Sequence, residues 1–273
     1  MPYEIENHYG RSGRLAERIA AELRSAGKDV QKLTPQDLEP IDEFHVRGRK
    51  ATLELAAQME LVPGAHVLDV GSGLGGPART LAANYDCYVT GVDVTADFCE
   101  AANEMSRWVG LADRVMFKQG DATALDVLPA SFDAAMSIHV AMNIEHKDAV
   151  YAGVHRALKP GRIFAIYDII QGEGGAVHFP VPWAREPSIS HLADGQKMRS
   201  LIQSAGFELL DEIDSSEESA AWFRDKAARI HTAQSPPIGF RIFLGEAYAQ
   251  MASNQVRNLA ERRIRTVTYI ARS

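Results

Sequence analysis

The stretch AHVLDVGSGLGGPARTL, residues Ala65–Leu81, decides the fold. It opens with a short apolar strand, turns through four glycines and continues into a helix that begins near Pro77. Proline is tolerated in the first turn of a helix, because the N–H that it lacks has no intrahelical partner there. Strand, glycine turn and helix together form the unit with which α/β folds bind nucleotides.

Asp69 limits which nucleotide this turn accepts. Taken literally, Gly71, Gly73 and Gly76 fit the dinucleotide pattern G-x-G-x-x-G. Asp69 lies just before the turn, so the pyrophosphate of a dinucleotide at the helix N-terminus would face a nearby negative charge. A ligand with a cationic end would instead be attracted. The glycine pattern leaves both ligands open, and Asp69 favours the cationic one.

Aspartates also follow the next two strands. The second strand, Cys87–Val94, carries Asp93 near its end, where a carboxylate either accepts both hydroxyls of a ribose or stabilises a helix N-terminus. Asp121 follows the third strand, Arg114–Gln119, and either accepts from an adenine amino group or belongs to an ordinary turn. Three aspartates at successive strand ends predict one shared ligand across the carboxyl edge of a parallel sheet.

Short apolar strands alternate with helical stretches along most of the chain. This alternation predicts an α/β fold with a Rossmann-like, doubly wound, seven-stranded sheet, whose last strand, Ile264–Ala271, enters antiparallel. We expect an N-terminal helical section, residues 1–63, that covers the ligand site. Residues 64–273 form the core, in which 171–195 and 215–262 are insertions that cap it.

Composition excludes several classes of function. The 273 residues carry a net charge of −7, which disfavours a nucleic-acid partner. Two cysteines without a C-x-x-C pair suit a reducing, cytoplasmic location and give neither a disulfide framework nor a zinc signature. We find no convincing metal-ligand spacing and no apolar run long enough to span a bilayer.

With these motifs together, the chain resembles the class I S-adenosylmethionine-dependent methyltransferases. The resemblance rests on Val67–Gly75, on Gly91-Val92-Asp93, on Gly120-Asp121-Ala122 and on Leu158-Lys159-Pro160-Gly161, and it covers about residues 62–170. The family's last motif usually ends in a second glycine, and Arg162 stands there instead. The resemblance implies S-adenosylmethionine as cofactor and S-adenosylhomocysteine as product.

The resemblance also assigns cofactor contacts. It implies that the glycine turn and Asp69 line the methionine part, that Asp93 binds the ribose and that Asp121 borders the adenine. One segment before the sheet, around Phe44 to Gly48, either folds over the cofactor or is a linker whose Phe44 packs on the core. With it, the predicted cofactor residues are Phe44, Arg47, Gly48, Asp69, Gly71, Ser72, Gly73, Asp93, Val94, Asp121, Ala122 and Ser137.

The subgroup that the chain is similar to methylates small molecules at N, O or C. The Asn-Pro-Pro-Tyr tetrapeptide of nucleic-acid amino-methylating enzymes is absent. Related O-methyltransferases use a His after the fourth strand and an Asp after the fifth. This implies His139 as general base, with Asp168 orienting it and favouring the charged form that results when it takes a proton. Both residues also have a purely structural interpretation, His139 as a strand-end residue bonded to the backbone and Asp168 as a helix or turn cap.

Further side chains are candidates for the acceptor side. We predict acceptor contacts for His139, Asn143, His178 and Trp183, whereas aromatic packing against the sheet edge is the alternative for the last two. The aromatic residues of the late insertion are predicted to be core: Trp222, Phe223 and Phe240.

Two other functions compete with methyl transfer. The literal glycine pattern and Asp93 suit an NAD(P)-dependent oxidoreductase, and the same fold serves as a non-catalytic S-adenosylmethionine-binding protein. The N-terminal helices and the late insertion each offer a surface for a homodimer.

Overall fold

A seven-stranded sheet forms the centre of the computed structural model, which describes residues 14–230 and 239–273. The strand order is β3-β2-β1-β4-β5-β7-β6, and β7 runs antiparallel to both of its neighbours. The predicted α/β architecture is therefore confirmed. The strands are β1 His66–Val70, β2 Tyr88–Asp93, β3 Val115–Gln119, β4 Phe132–Ile138, β5 Leu158–Gln171, β6 Glu208–Asp214 and β7 Ile264–Arg272.

Helices surround this sheet in the order that the sequence pattern predicts. Thr34 begins the second helix through a capping box, in which its N–H and hydroxyl both donate to the carboxylate of Asp37. The helices are α1 Leu15–Ser25, α2 Pro35–Asp42, α3 Arg49–Ala56, α4 Gly76–Tyr85, α5 Ala96–Trp108, α6 Lys147–Ala157, α7 Gly195–Ser204, α8 Ser216–Ile230, α9 Arg241–Leu244 and α10 Tyr248–Ala260.

The two faces of the sheet bury separate apolar layers. Along β1, Val67 packs with α3, α4 and α5 on one face, whereas Leu68 and Val70 pack with α6 and α7 on the other. All three side chains are fully buried, so each contributes roughly 1.5–3 kcal/mol of transfer free energy. Burial on both faces explains why this strand reads as a nearly continuous apolar run.

The N-terminal helices cover the edge of the sheet at which the glycine turn lies. Leu38 and Ile41 of α2 pack in one cluster with Phe98 of α5 and with Phe243 of α9. A buried ion pair fixes this cover, because Arg79 Nη2 of α4 lies 3.0 Å from Asp42 Oδ2 at the end of α2. Residues 1–13 of the predicted helical section and 231–238 of the late insertion lie outside the described residues, and the domain division stays a prediction.

The irregular segment between β5 and α7 forms the remaining cover. Val181, Trp183 and Ile189 of this segment pack with Leu259 of α10 and with Val46 from the N-terminal section. These contacts join both predicted insertions above the carboxyl ends of the strands. Within the described ranges, every helix is too short or too polar to cross a membrane.

Candidate active site

A cavity of about 1410 Å³ lies beyond the carboxyl ends of β1 to β4, and we call it the first cavity. It is open to solvent on one side and is bounded by the glycine turn, by the three strand-end aspartates and by the loop after β4. A parallel sheet binds ligands at this edge, where its strand order reverses between β1 and β4. The predicted residues that line it are Phe44, Asp69, Gly71, Ser72, Gly73, Asp93, Val94, Asp121, Ala122, His139 and Asn143.

The glycine turn brings backbone, not side chains, to the floor of the first cavity. Gly71 has a φ of +76°, and a Cβ added there would lie 2.3 Å from a methyl carbon of Val140. Gly73 has a φ of +51° and donates its N–H to Asp93. L-residues adopt positive φ at a cost, so both positions require glycine.

Asp69 places an unsatisfied carboxyl group in the first cavity. Its side chain is buried, and Oδ2 has no hydrogen-bond partner among the described residues. Burial, reinforced by the negative charge of Asp93, raises the pKa of Asp69 to about 8. The hydroxyl of neighbouring Ser72 is buried without a partner in the same way. Buried polar groups are normally paired, so both atoms await groups of a bound ligand.

Asp93 is held in place by backbone donors. Its Oδ2 accepts the N–H of Gly73 at 2.8 Å, and its Oδ1 accepts the N–H of Thr95 at 2.9 Å. Each carboxylate oxygen keeps a lone pair for a ligand hydroxyl. Burial raises the pKa of Asp93, against the effect of these two hydrogen bonds.

Asp121 shapes the third side of the cavity. Its Oδ1 accepts from the N–H of Thr123 at 2.8 Å and from the Thr123 hydroxyl at 2.7 Å. These bonds begin a short 3₁₀ turn, Ala122–Ala124, whose backbone and small side chains face the cavity.

A second cavity of about 570 Å³ adjoins the first and lies under the two insertions. Three residues line both cavities and separate them: Phe44, His45 and His139. Six aromatic residues and one lysine dominate its lining, namely Phe44, Trp183, Trp222, Phe223, Phe240, Tyr248 and Lys226. Trp222, Phe223 and Phe240 are half-buried; they pack against the apolar core clusters and also line this cavity.

His139 presents a neutral imidazole between the cavities. Burial, with a smaller contribution from His45, holds the pKa of His139 well below its usual value. Its Nε2 is buried and lacks a partner among the described residues, and its ring centroid lies 4.9 Å from that of Tyr167. The backbone at His139 has a φ of +55°, in the left-handed region. A ligand hydroxyl or amine is therefore the partner that this ring lacks.

Asp168 does not orient His139, contrary to the prediction. Its Oδ2 accepts the N–H of Ala141 at 2.7 Å, and its Oδ1 accepts the N–H of Ile169 at 2.9 Å. Asp168 is fully buried, lines neither cavity and has a pKa that burial raises to about 6. The carboxylate therefore fixes the loop after β4, and His139 gains no charged partner from it.

His45 is a functional candidate that sequence reasoning missed. Its Nε2 lies 3.0 Å from the carbonyl oxygen of Gly48, so we assign the proton to Nε2 and a lone pair to Nδ1. Burial lowers the pKa of His45 to about 4. The ring centroids of His45 and His139 are 5.9 Å apart. Of the residues predicted from the Phe44–Gly48 segment, Phe44 reaches both cavities, whereas Arg47 and Gly48 reach neither.

Three predicted cofactor residues lie outside the first cavity. Arg47 directs its guanidinium to Glu54 of α3, where the two form an ion pair. Gly48 precedes α3 with a φ of +50°, and Ser137 is a buried residue within β4. Ile138 and His139 are the residues by which β4 borders the cavity.

The predicted acceptor residues separate into two groups. Trp183 lines the second cavity, and its indole N–H donates to the hydroxyl of Ser190 at 3.0 Å. Asn143 borders the first cavity but uses its amide to donate to the carbonyl oxygen of Trp183 at 2.6 Å. His178 lines neither cavity, and its Nε2 lies 3.0 Å from a carboxylate oxygen of Glu261, just after the end of α10.

The charge of the first cavity favours a cationic ligand. Its described lining contains five carboxyl groups and neither lysine nor arginine: Asp42, Asp69, Asp93, Asp121 and Glu145. A pyrophosphate would lack any side-chain cation here. Across the described parts of the chain, no group of three His, Cys, Asp or Glu side chains is arranged to hold a metal ion.

Comparisons with known proteins agree with this geometry. A family profile described as a methyltransferase domain matches residues 67–161. A sterol 24-C-methyltransferase of Debaryomyces hansenii is 26% identical over 216 residues, which cover 76% of this chain and 57% of that protein. Methyltransferase GfsG of Streptomyces halstedii is 31% identical over 191 residues, covering 68% of this chain and 66% of that protein. The chain thus spans about half to two thirds of the curated relatives that it matches.

Solved structures share the fold. Phosphoethanolamine N-methyltransferase 2 of Haemonchus contortus, in complex with S-adenosylhomocysteine, superposes with a TM-score of 0.70 at 21% identity, covering 85% of this chain and 54% of that one. The [4+2]-cyclase SpnF superposes with a TM-score of 0.66 at 24% identity, covering 96% and 95%. From the sheet order, the glycine turn with its three aspartates and these matches, the chain belongs to the class I S-adenosylmethionine-dependent methyltransferases.

Proposed function

We propose that the chain transfers a methyl group from S-adenosylmethionine to a nitrogen, oxygen or carbon atom of a small molecule. The observation that carries this proposal is Asp69, a buried carboxyl group with an unpartnered oxygen beside a glycine turn. A cation is the natural partner of that oxygen, and the cofactor carries two, the sulfonium and the ammonium of its methionine part. The fold alone would not decide, because a [4+2]-cyclase has it as well.

The residues of the first cavity fit this cofactor. Asp69 and Ser72 would hold the methionine part, because both offer unpartnered polar atoms. Asp93 would accept the ribose hydroxyls through its remaining lone pairs, and Asp121 with Ala122 would border the adenine. When bound, the cofactor supplies a methyl carbon on a sulfonium, which an acceptor atom attacks in line.

The chain's own contribution is alignment and proton transfer. The cofactor in the first cavity and an acceptor in the second would meet at His139, which lines both. Holding two reactants in line provides up to about 7–11 kcal/mol of the barrier reduction. Where the acceptor is a hydroxyl, neutral His139 takes its proton as the new bond to carbon forms. Where it is an amine, His139 accepts a hydrogen bond and positions the lone pair.

The surroundings support a small acceptor and a reducing compartment. The second cavity lies beneath the insertions and, at about 570 Å³, has room for one compact molecule, and the net charge of −7 disfavours nucleic acid. Cys87 and Cys99 are both buried and unpaired, in keeping with a cytoplasmic location. A homodimer through the N-terminal helices or the late insertion stays a prediction.

Calorimetry with S-adenosylhomocysteine tests the proposal. We expect tight binding with one ligand per chain, and absence of detectable binding at more than one temperature would exclude the proposal. An oxidoreductase would instead enhance the fluorescence of NAD(P)H on binding, which we do not expect. A metabolite extract incubated with methyl-labelled cofactor then separates an enzyme from a non-catalytic binder, because only an enzyme yields a labelled product, whose mass identifies the acceptor.

A further inference from the structure

The second cavity has the opposite charge character to the first. None of its described lining residues is Asp or Glu, and its single formally charged side chain is Lys226. The protein as a whole carries 36 acidic and 29 basic residues, so the charge of this lining has the opposite sign to the net charge of the chain. A cationic acceptor would meet a repulsive charge there and no carboxylate to offset it.

Lys226 is held at the cavity wall by aromatic rings. Its Nζ lies 4.7 Å from the ring centroid of Trp222 and 5.7 Å from that of Phe240, and both rings also line the cavity. These are cation–π distances, which fix an ammonium over ring faces. No described carboxylate forms an ion pair with it, so its charge is available to a ligand.

The remaining walls are flat and apolar. Trp183, Trp222 and Phe223 present rings to the cavity, and Phe44 packs edge-on against Phe240 with centroids 4.7 Å apart. Aromatic side chains bind ring-containing ligands by offset stacking and edge contacts. The cavity therefore combines an apolar slot with an ammonium at one wall and the two histidines at the junction with the first cavity.

We propose that the second cavity binds the methyl acceptor, and that it selects a ring-containing organic anion whose carboxylate or comparable group contacts Lys226. The role as acceptor site rests on the proposed methyl transfer, whereas the preference for a flat anion rests on the cavity alone. The donor cation and the acceptor anion then occupy neighbouring cavities of complementary charge, and the reacting atom of the acceptor points toward His139.

Two matched fluorescent probes test this preference without knowledge of the natural acceptor. 8-Anilinonaphthalene-1-sulfonate and N-phenyl-1-naphthylamine share one ring system, and only the first carries an anion. With the full chain saturated in S-adenosylhomocysteine, we expect one site per chain for each probe and tighter binding of the sulfonate. Lys226→Met should weaken the sulfonate about tenfold and leave the neutral probe within twofold, and Lys226→Arg should restore the sulfonate.

Controls assign the effect to the cavity. Lys32 is an exposed lysine outside both cavities, so Lys32→Met should change neither probe. Ala252 lines the second cavity, and Ala252→Trp should displace both probes by filling it. Equal loss of both probes in Lys226→Met, or no loss of either, would overturn the proposal. Binding of S-adenosylhomocysteine by each variant, measured in the same samples, shows separately whether the proposed methyltransferase function fails.

Discussion

The two cavities differ in how the chain builds them. The first is acidic, and its essential groups follow three consecutive strands within about fifty residues, Asp69 to Asp121. The second is aromatic, and its walls come from segments as distant as Phe44 and Gln255. The first cavity is thus encoded locally, whereas the second is largely assembled from the N-terminal section and the two insertions, which meet only in the folded chain. This difference explains why the residues of the first cavity could be predicted from the sequence, whereas the arrangement of the second cavity could not.

Replacing Asp93 by alanine is the strongest way to break the first cavity while sparing the second. We expect the affinity for S-adenosylhomocysteine to fall about a thousandfold, because two hydrogen bonds to a carboxylate are lost at roughly 2 kcal/mol each. The N–H of Gly73 also loses its acceptor. Calorimetry measures the change, and Asp113→Ala at an exposed, unpaired position serves as control. A loss below tenfold would mean that Asp93 does not contact the cofactor.

His139 tests the junction between the cavities. With a hydroxyl acceptor, His139→Ala should lower turnover about a hundredfold through loss of general-base catalysis, while the affinity for S-adenosylhomocysteine changes little. His139→Asn keeps a residue that tolerates the left-handed backbone but cannot take the proton, and it should be equally slow. Near-normal turnover of both variants would indicate an amine acceptor or a base elsewhere, with His45 as the next residue to replace.

The pH dependence of cofactor binding tests whether the acidic character of the first cavity serves to bind a cation. Asp69 is mostly protonated below its raised pKa of about 8, and it must lose that proton to pair with a cation. Affinity for S-adenosylhomocysteine should therefore rise about fiftyfold from pH 6 to pH 8, with release of a proton on binding at the lower pH. Asp69→Asn should bind more weakly at pH 8 and show a flat profile. A wild-type profile that is already flat would contradict the cationic role of this site.

The smallest expected effect concerns the segment that covers the second cavity. Asn143→Ala removes the hydrogen bonds to the carbonyl oxygens of Trp183 and Ile189, which should lower the free energy of unfolding by about 1.5 kcal/mol. Urea denaturation measures this change. The matched control is Asn84→Ala, which removes one hydrogen bond from an exposed amide to the carbonyl oxygen of Thr80, and we expect it to change the free energy of unfolding by less than about 0.5 kcal/mol, as is usual for surface substitutions. Unchanged stability with a raised KM for the acceptor would support direct acceptor binding by Asn143, as the sequence had predicted.

The strands, the helices and the first cavity could be predicted because the sequence signals for them are local. The alternation of strands and helices and the aspartates at strand ends both depend on residues that are close in sequence. These signals specify position along an element. They therefore located Asp69, Asp93 and Asp121 at one edge of the sheet before any coordinates.

The direction of a side chain depends on partners that sequence does not reveal. Arg47 pairs with Glu54, seven residues further along, and His178 pairs with Glu261 from another insertion. Asp168 accepts the N–H of Ala141, which is in place only once the loop after β4 has formed. The resemblance to O-methyltransferases suggested a histidine–aspartate pair, but loop geometry separates the two side chains. Lys226 and His45 carried no motif strong enough to reveal the second cavity.

The left-handed backbone at His139 has a consequence for engineering new acceptor preferences. Only a few residue types occupy a φ of +55° readily, chiefly glycine, asparagine, aspartate and histidine, and others lose about 1–2 kcal/mol. A saturation library at this position would therefore combine losses of stability of this size with any change in chemistry. Diversity is better introduced at Met142, Trp183 and Ala252, which line the same cavity from helical or irregular backbone with ordinary dihedral angles, with His139 varied only among those four residues.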